Sequence, residues 1–218
     1  SGKIYMGRRY KTPSENIEIR QCLMENGHGA VTVGSEVGAG VKAVRVRDCL
    51  FRHTDRGLRV KTRRGRGKDS VLSDISFQHI VMDHVMTPFV VNSFYFCDPD
   101  GKTEYVQCRE ALPADERTPE IQNLSFTDIK AANCHAAASF LCGLPEQKIR
   151  QIELRNVDIS FAEQAREGVP AMMEGVSACS RQGFTVMNVD TLVCENVTIT
   201  GQKGDAFIMS NIDHFKEI

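Results

Sequence analysis

The chain has 218 residues, with 27 Lys and Arg against 28 Asp and Glu, so its formal net charge is −1. This length allows one domain with a substantial core. No run approaches the ~20 apolar residues that a membrane-spanning helix needs, so we expect no membrane partner. The opening segment, Ser1 to Lys11, is polar and basic and does not have the pattern of a secretory signal peptide.

A short apolar pattern recurs along the chain. Each copy has two apolar residues separated by one position, then two mostly polar residues, then a second pair with the same spacing. Alternation with a period of two is typical of a strand with one buried face, and the polar residues between the pairs indicate a corner, as at Asp48, His79, Asn156 and Asn196. The six copies begin at Ile17, Val44, Ile75, Leu124, Ile152 and Leu192.

A further apolar pair follows at a constant distance in every copy but the fifth. The segment "EQAREGVPAMMEG" interrupts that copy and predicts an insertion. Agreement between two independent registers indicates a structural repeat rather than chance. The pairs are Val31/Val33, Leu58/Val60, Phe89/Val91, Ala138/Phe140 and Ala206/Ile208.

Three short strands in each repeat of roughly thirty residues predict an all-β fold, a parallel β-helix of about six coils. We assign residues 1–218 to a single β-helix domain. Because coils of such a solenoid stack ~4.8 Å apart, equivalent side chains should lie together, Cys22 beneath Cys49 for example. The alternatives are a β-sandwich and a propeller, but no Asn-Gly or Asp-Gly hairpin turn separates the apolar runs.

The same alternation predicts which side chains point outward. If Leu58 and Val60 face the core, Arg59 and Lys61 lie outside on one strand, with Cα atoms ~6.6 Å apart. Two parallel cations at this spacing suit one carboxylate, or carboxylates on adjacent sugars. One coil earlier, His28 stands between two glycines, so nothing large shields its ring.

Small and aromatic residues complete this surface. Thr32 and Gly34 would form a floor beside the cations, and Phe94 and Tyr95, one coil later, would form an aromatic rim. Together these residues predict a groove for an anionic sugar chain. Taken singly, a glycine-flanked histidine is more often a turn residue, and Arg-x-Lys on a strand is usually solvated.

Positive charge is concentrated between Val41 and Ser70, where eleven Lys and Arg face three Asp and the segment "KTRRGRGK" occurs. Such a block attracts polyanions, although a solvated basic face is equally compatible with it. The glycines do not form a P-loop and no aromatics are interleaved with the arginines, so we expect no nucleic-acid partner.

The eight cysteines show no CxxC spacing, which argues against zinc or thioredoxin-like chemistry. We therefore expect no metal and no cofactor. Cys97 and Cys108 could close a short loop in an oxidising compartment, and buried free thiols are equally compatible with the sequence.

The segments "NGHGAVTVGSE" and "GLRVKT", together with the repeated strand phrasing, resemble the C-terminal half of glycoside hydrolase family 28, the polygalacturonases and related pectin hydrolases. The resemblance implies a right-handed parallel β-helix that hydrolyses the α-1,4 bonds of polygalacturonate with inversion. It implies a place for His28, in G-H-G, beside the catalytic acids, and a role for Arg59 and Lys61, in R-x-K, in binding a galacturonate carboxylate. Tyr95 is the best match to a substrate-contacting tyrosine of the family.

The sequence departs from the family pattern at the catalytic acids. The family supplies them as an N-T-D motif and a D-D pair ahead of G-H-G, and neither motif occurs in these 218 residues. Glu25, Glu36 and Asp55 lie nearest the predicted groove; Glu36 could edge it, and Asp55 more simply caps a corner. We therefore expect a truncated β-helix that is inactive alone and whose open end is covered by a missing N-terminal segment or by self-association.

Two other functions fit parts of the sequence. A non-enzymatic β-helix that binds acidic polysaccharides would need the repeat and the basic groove but no acids. A pectate lyase-like protein would need clustered calcium carboxylates, and no strand face carries them. The pectic substrate implies a secreted or periplasmic protein, and the sequence leaves open whether the protein attacks chain ends or interiors.

Overall fold

The computed structural model describes all 218 residues, and every ladder between its named strands is parallel. The longest helix has seven residues, so none of the helices could cross a membrane. The elements are α1 (Ile4–Tyr10), β1 (Ser14–Arg20), β2 (Leu23–Glu25), β3 (Val31–Val33), β4 (Val41–Arg52), β5 (Arg56–Lys61), β6 (Val71–Asp83), β7 (Thr87–Asn92), a 3₁₀ turn (Pro99–Lys102), α2 (Glu104–Gln107), β8 (Glu120–Ile121), β9 (Asn123–Cys134), β10 (Ala137–Cys142), β11 (Ile149–Phe161), β12 (Gln182–Thr200) and β13 (Lys203–Glu217).

The strands stack in the order that the repeat predicts. One face of the β-helix consists of the hydrogen-bonded strands β1-β4-β6-β9-β11-β12. A second face consists of the neighbours β12-β10-β7-β5-β3, so the long strand β12 contributes to both. The first apolar residues of the six copies pair in register from Ile17 to Leu192. The last residues of β13 pair with Leu192 to Cys194 of β12 and start a seventh, partial row. The predicted parallel β-helix of about six coils is therefore confirmed.

The interior is a continuous apolar column of 36 buried residues. Equivalent side chains stack on each other, and the rings of Phe77 and Phe126 lie 5.3 Å apart and nearly parallel. Cys22 lies beside Cys49, since the Cys22 carbonyl accepts a hydrogen bond from the Leu50 amide at 3.0 Å, as predicted. Burial of like on like explains why the same residue type recurs at each position of the repeat.

The predicted corners are left-handed residues joined into a ladder. Each has a φ of 50–55°, a conformation that Asn, Asp and His adopt more readily than most residues. The imidazole of His79 bridges the carboxylates of two neighbouring coils, at 3.3 and 3.2 Å, and side-chain amides continue the ladder. The ladder consists of Asp48, His79, Asp128, Asn156 and Asn196.

The predicted facing of two apolar residues is wrong. Phe140 pairs in register with Val90, and Ile208 pairs with Thr185, so both lie on the outward row. A shift of one residue moves a strand's side chains to the opposite face. The turns that precede these strands differ in length from the earlier ones, and the spacing of apolar residues could not register that difference.

Candidate active site

The outward row begins with Thr32, Arg59 and Val90, which are consecutive partners on β3, β5 and β7. Lys61 follows Arg59 on the same face of β5. The chain passes close to Lys61 at Gly34, where a Cβ atom would lie 2.0 Å from the Lys61 carbonyl oxygen. Only glycine fits there, and the predicted floor of small residues beside the two cations is present.

Arg59 and Lys61 both make cation–π contacts with the ring of Tyr95. The guanidinium carbon of Arg59 lies 5.5 Å from the centre of the Tyr95 ring, and Lys61 Nζ lies 4.5 Å from it. The Lys61 ammonium also donates to the Tyr95 hydroxyl at 3.4 Å. The structure thus brings together three of the predicted site residues, although Lys61 and Tyr95 are 34 positions apart in the sequence.

Neither cation is neutralised by the protein. Arg59 is only 3% exposed, and no carboxylate lies within ion-pair distance of Arg59 or Lys61. Burial lowers the pKa of Arg59, and burial together with the neighbouring Arg59 charge lowers the pKa of Lys61. Burial also raises the pKa of the Tyr95 hydroxyl, which keeps the hydroxyl protonated. The site is therefore electrostatically prepared for an anion from outside.

Lys61 and Tyr95 open on a cavity of about 580 Å³. Thr32 and Glu36 line the same cavity, which extends over core-facing apolar side chains at the open end of the β-helix. The Glu36 carboxylate lies 3.5 Å from Lys3 Nζ and is half exposed. Glu36 is thus at the edge of the groove, where it was predicted, and already carries a counter-ion.

His28 is fixed by a carboxylate that sequence reasoning assigned to another role. Asp55 Oδ2 lies 2.7 Å from His28 Nδ1, and both side chains are more than half exposed. The prediction that Asp55 caps a corner therefore missed its main contact. The adjoining Gly29 is close to Arg59, since a Cβ on Gly29 would lie 3.9 Å from Arg59 Cδ.

An insertion between β11 and β12 closes one side of the groove, and the sequence predicted its existence but not its destination. Arg56 donates to the carbonyls of Val169 at 2.6 Å and Pro170 at 3.0 Å. The Met172 sulfur lies 3.1 Å from Arg59 Nη2, and the Met172 carbonyl accepts from Asn92. These contacts place the insertion directly against the buried guanidinium.

Beyond Arg59 the outward face is apolar and covered. Phe94 is 1% exposed and packs with six other buried residues, so the predicted exposed aromatic rim is wrong for Phe94, and Tyr95, itself 6% exposed, lines the cavity. The groove therefore ends at this cluster. Its members are Val90, Phe94, Phe140, Cys142, Leu144, Ala171 and Met173.

The basic block is divided, since five of its eleven Lys and Arg residues are buried, whereas Lys42, Arg45, Arg52 and Lys68 are exposed. Arg64 is 1% exposed and forms a two-point ion pair with Glu146, at 2.6 and 2.8 Å. Arg63 and Arg66 are also buried, and both bind Asp98 at 3.1 Å. The buried arginines Arg63, Arg64 and Arg66 are thus internal structure, and the sequence could not show this because their acidic partners lie more than 30 positions away.

All eight cysteines are free thiols, so Cys97 and Cys108 do not form the disulfide that the sequence left open. No group of three or more His, Cys, Asp or Glu side chains is arranged to hold a metal ion.

The range of the chain that contains the groove matches a known protein family. The profile of glycosyl hydrolases family 28 matches residues 10–179. The chain belongs to glycosyl hydrolase family 28. The matched range contains His28, Glu36, Arg59, Lys61 and Tyr95, so every predicted site residue lies in the family region.

Relatives within the family are polygalacturonases. A polygalacturonase from Prunus persica is 29% identical over 169 residues, which are 75% of this chain and 40% of that protein. An exopolygalacturonase from Arabidopsis thaliana is 30% identical, over 77% of this chain and 34% of that protein. The crystal structure of a hyperthermoactive exopolygalacturonase from Thermotoga maritima superposes with a TM-score of 0.61 at 25% identity, over 78% of this chain and 35% of that one. The chain thus spans well under half the length of these relatives.

Proposed function

We propose that the groove binds the carboxylates of galacturonan, and that the protein containing this chain hydrolyses the α-1,4-galacturonosyl bonds of pectin with inversion. The observation that carries the proposal is the pair Arg59 and Lys61, set against Tyr95 with no carboxylate of the protein beside them. A buried cation is costly unless something neutralises it, and a sugar carboxylate would do so. Family membership and the polygalacturonase relatives support the same substrate class.

Hydrolysis requires more than this site contains. Inversion needs one carboxylic acid and one carboxylate ~6.5–9.5 Å apart. Three carboxylates near the groove already have partners, since Asp55 binds His28, Glu36 binds Lys3 and Asp98 binds two arginines, and Glu25 is a single exposed acid at the end of β2. We therefore propose that these 218 residues bind substrate as one β-helix domain, and that acids outside them carry out proton transfer.

Apolar side chains are exposed at both ends of the β-helix. In the first coil Ile17 is 39% and Leu23 is 56% exposed, and in the last coil Phe215 is 40% exposed. Unpaired strand edges over exposed core favour association. We propose that a companion segment or a second copy covers these ends, and that the protein works outside the cytoplasm, where pectin is found.

The test compares trigalacturonate with its methyl ester, which has the same shape without the charge. Isothermal titration of the 218-residue chain should show binding of the acid and at least tenfold weaker binding of the ester, because one charge-assisted contact is worth about 1.5–3 kcal/mol. A reducing-sugar assay should show no hydrolysis by this chain, with and without calcium. Equal affinity for acid and ester would contradict the proposed carboxylate site.

The alternative is a purely binding β-helix, and a chimera that joins this chain to the N-terminal part of one of the polygalacturonase relatives distinguishes the two. Hydrolysis by the longer protein supports the enzyme. Binding without turnover by the longer protein supports the binding module. Calcium-dependent turnover with an unsaturated product would indicate a lyase instead.

A further inference from the structure

Two exposed histidines of the β-helix, His79 and His28, differ in their carboxylate contacts. Both ring nitrogens of His79 lie against carboxylates, those of Asp48 and Asp128, so His79 joins neighbouring coils. His28 has one carboxylate partner, Asp55, on Nδ1, and its Nε2 has no hydrogen-bond partner within the protein. One nitrogen of His28 is thus fixed and the other is free.

The backbone holds this pair in a fixed relation. The Asp55 amide donates to the Gly27 carbonyl at 3.0 Å, and the Ala30 amide donates to the Arg56 carbonyl at 2.8 Å. The turn that carries His28 is therefore hydrogen-bonded on both sides to the turn that carries Asp55. The carboxylate lies where it can accept a hydrogen bond from a protonated Nδ1, at 2.7 Å.

A contribution to stability does not account for the pair. The two side chains are 61% and 51% exposed, and exposed ion pairs contribute about 0–1 kcal/mol to folding. A carboxylate on one imidazole nitrogen does have a strong local effect, because it selects the tautomer in which that nitrogen carries the proton. In neutral histidine without such a partner, the proton resides mainly on Nε2.

We propose that Asp55 is a positioning residue that keeps the proton of His28 on Nδ1, so that Nε2 alone exchanges protons or hydrogen bonds with a sugar in the groove. The inference rests on the proposed function, since it requires that the ligand bound by Arg59 and Lys61 also reaches Nε2. The charges around the pair are compatible with it. Arg56 donates to the backbone carbonyl of Asp55 at 3.2 Å, and Arg59 lies next to the same turn without touching the carboxylate.

The experiment uses nitrogen-15 NMR of the imidazole rings in the whole chain, in the wild type and in D55A. In the neutral ring of wild-type His28, Nδ1 should show a protonated-type shift and Nε2 an unprotonated one. In D55A the pattern should invert, with Nε2 protonated in the neutral ring. D48N is the control, because it removes a carboxylate from an exposed histidine at a different corner.

The second measurement is the dissociation constant of trigalacturonate. Asp55 touches no ligand directly in this proposal, and loss of its negative charge would by itself favour an anion at Arg59, so a loss of affinity in D55A would come through His28. We expect a loss of roughly tenfold, in the range found when a partner that orients a histidine is removed, and no change in D48N.

Two results would overturn the positioning role. One is a wild-type His28 with the proton on Nε2. The other is a D55A protein whose tautomer inverts while its affinity stays the same. Failure of the wild type to bind trigalacturonate would instead contradict the proposed function, and the tautomer measurement would still decide the role of Asp55.

Discussion

Replacing Arg59 with methionine should stabilise the protein and weaken ligand binding. Methionine keeps most of the length and apolar character of the side chain and removes its charge. Arg59 is 97% buried and has no carboxylate partner, so the free protein bears the cost of removing a cation from water. That cost is several kcal/mol for a buried ion, and the Tyr95 ring returns about 0.5–2 kcal/mol of it.

We expect a net gain of about 1–2 kcal/mol in the free energy of unfolding of R59M. For a chain of this length, 1 kcal/mol corresponds to about 2–4 °C in Tm, so the melting temperature should rise by about 2–8 °C. Binding should change in the opposite direction. A hydrogen bond to a charged group is worth about 1.5–3 kcal/mol, which is about a 10- to 150-fold increase in the Kd for trigalacturonate.

The assay combines thermal unfolding followed by circular dichroism with isothermal titration. R45M is the matched control, because Arg45 is exposed on β4 and makes no ion pair. R45M should change neither Tm nor Kd measurably. If R59M melts below the wild type, or binds trigalacturonate as tightly, then Arg59 is a structural residue and the reasoning is wrong.

Three further outcomes follow from burial and charge. Because burial and the charge of Arg59 lower the pKa of Lys61, trigalacturonate affinity should fall as pH rises through a range below 10.5, and titration of K61R should show no such loss. E146Q should lower the free energy of unfolding by about 3–5 kcal/mol in urea denaturation, because it leaves the Arg64 guanidinium buried without a counter-ion; an unchanged midpoint would contradict this. A maleimide reagent should modify the exposed Cys97 in the native protein but not Cys142, whose pKa burial raises to about 12, and mass spectrometry would show labelling of Cys142 if that environment were open.

Strand alternation and corner residues were enough to predict the β-helix. A parallel stack puts equivalent positions of each coil in contact, so one repeat in the sequence specifies both the local strand and its neighbours. The same alternation placed Arg59 and Lys61 outside the core beside Thr32, as observed. It failed at Phe140, because a single extra residue in a turn reverses the face and leaves the apolar spacing almost unchanged.

The identities of the groove residues were thus determined by the sequence, and their environment was decided by tertiary structure. The insertion that covers Arg59 returns from 113 positions away, and the carboxylate that neutralises Arg64 lies 82 positions away. The sequence around Asp55 indicated only a corner residue, because its contact with His28 forms when the two turns stack in the fold. The repeat in the sequence indicates which side chains share a face of the β-helix. The course of a loop depends instead on contacts between segments that share no sequence pattern.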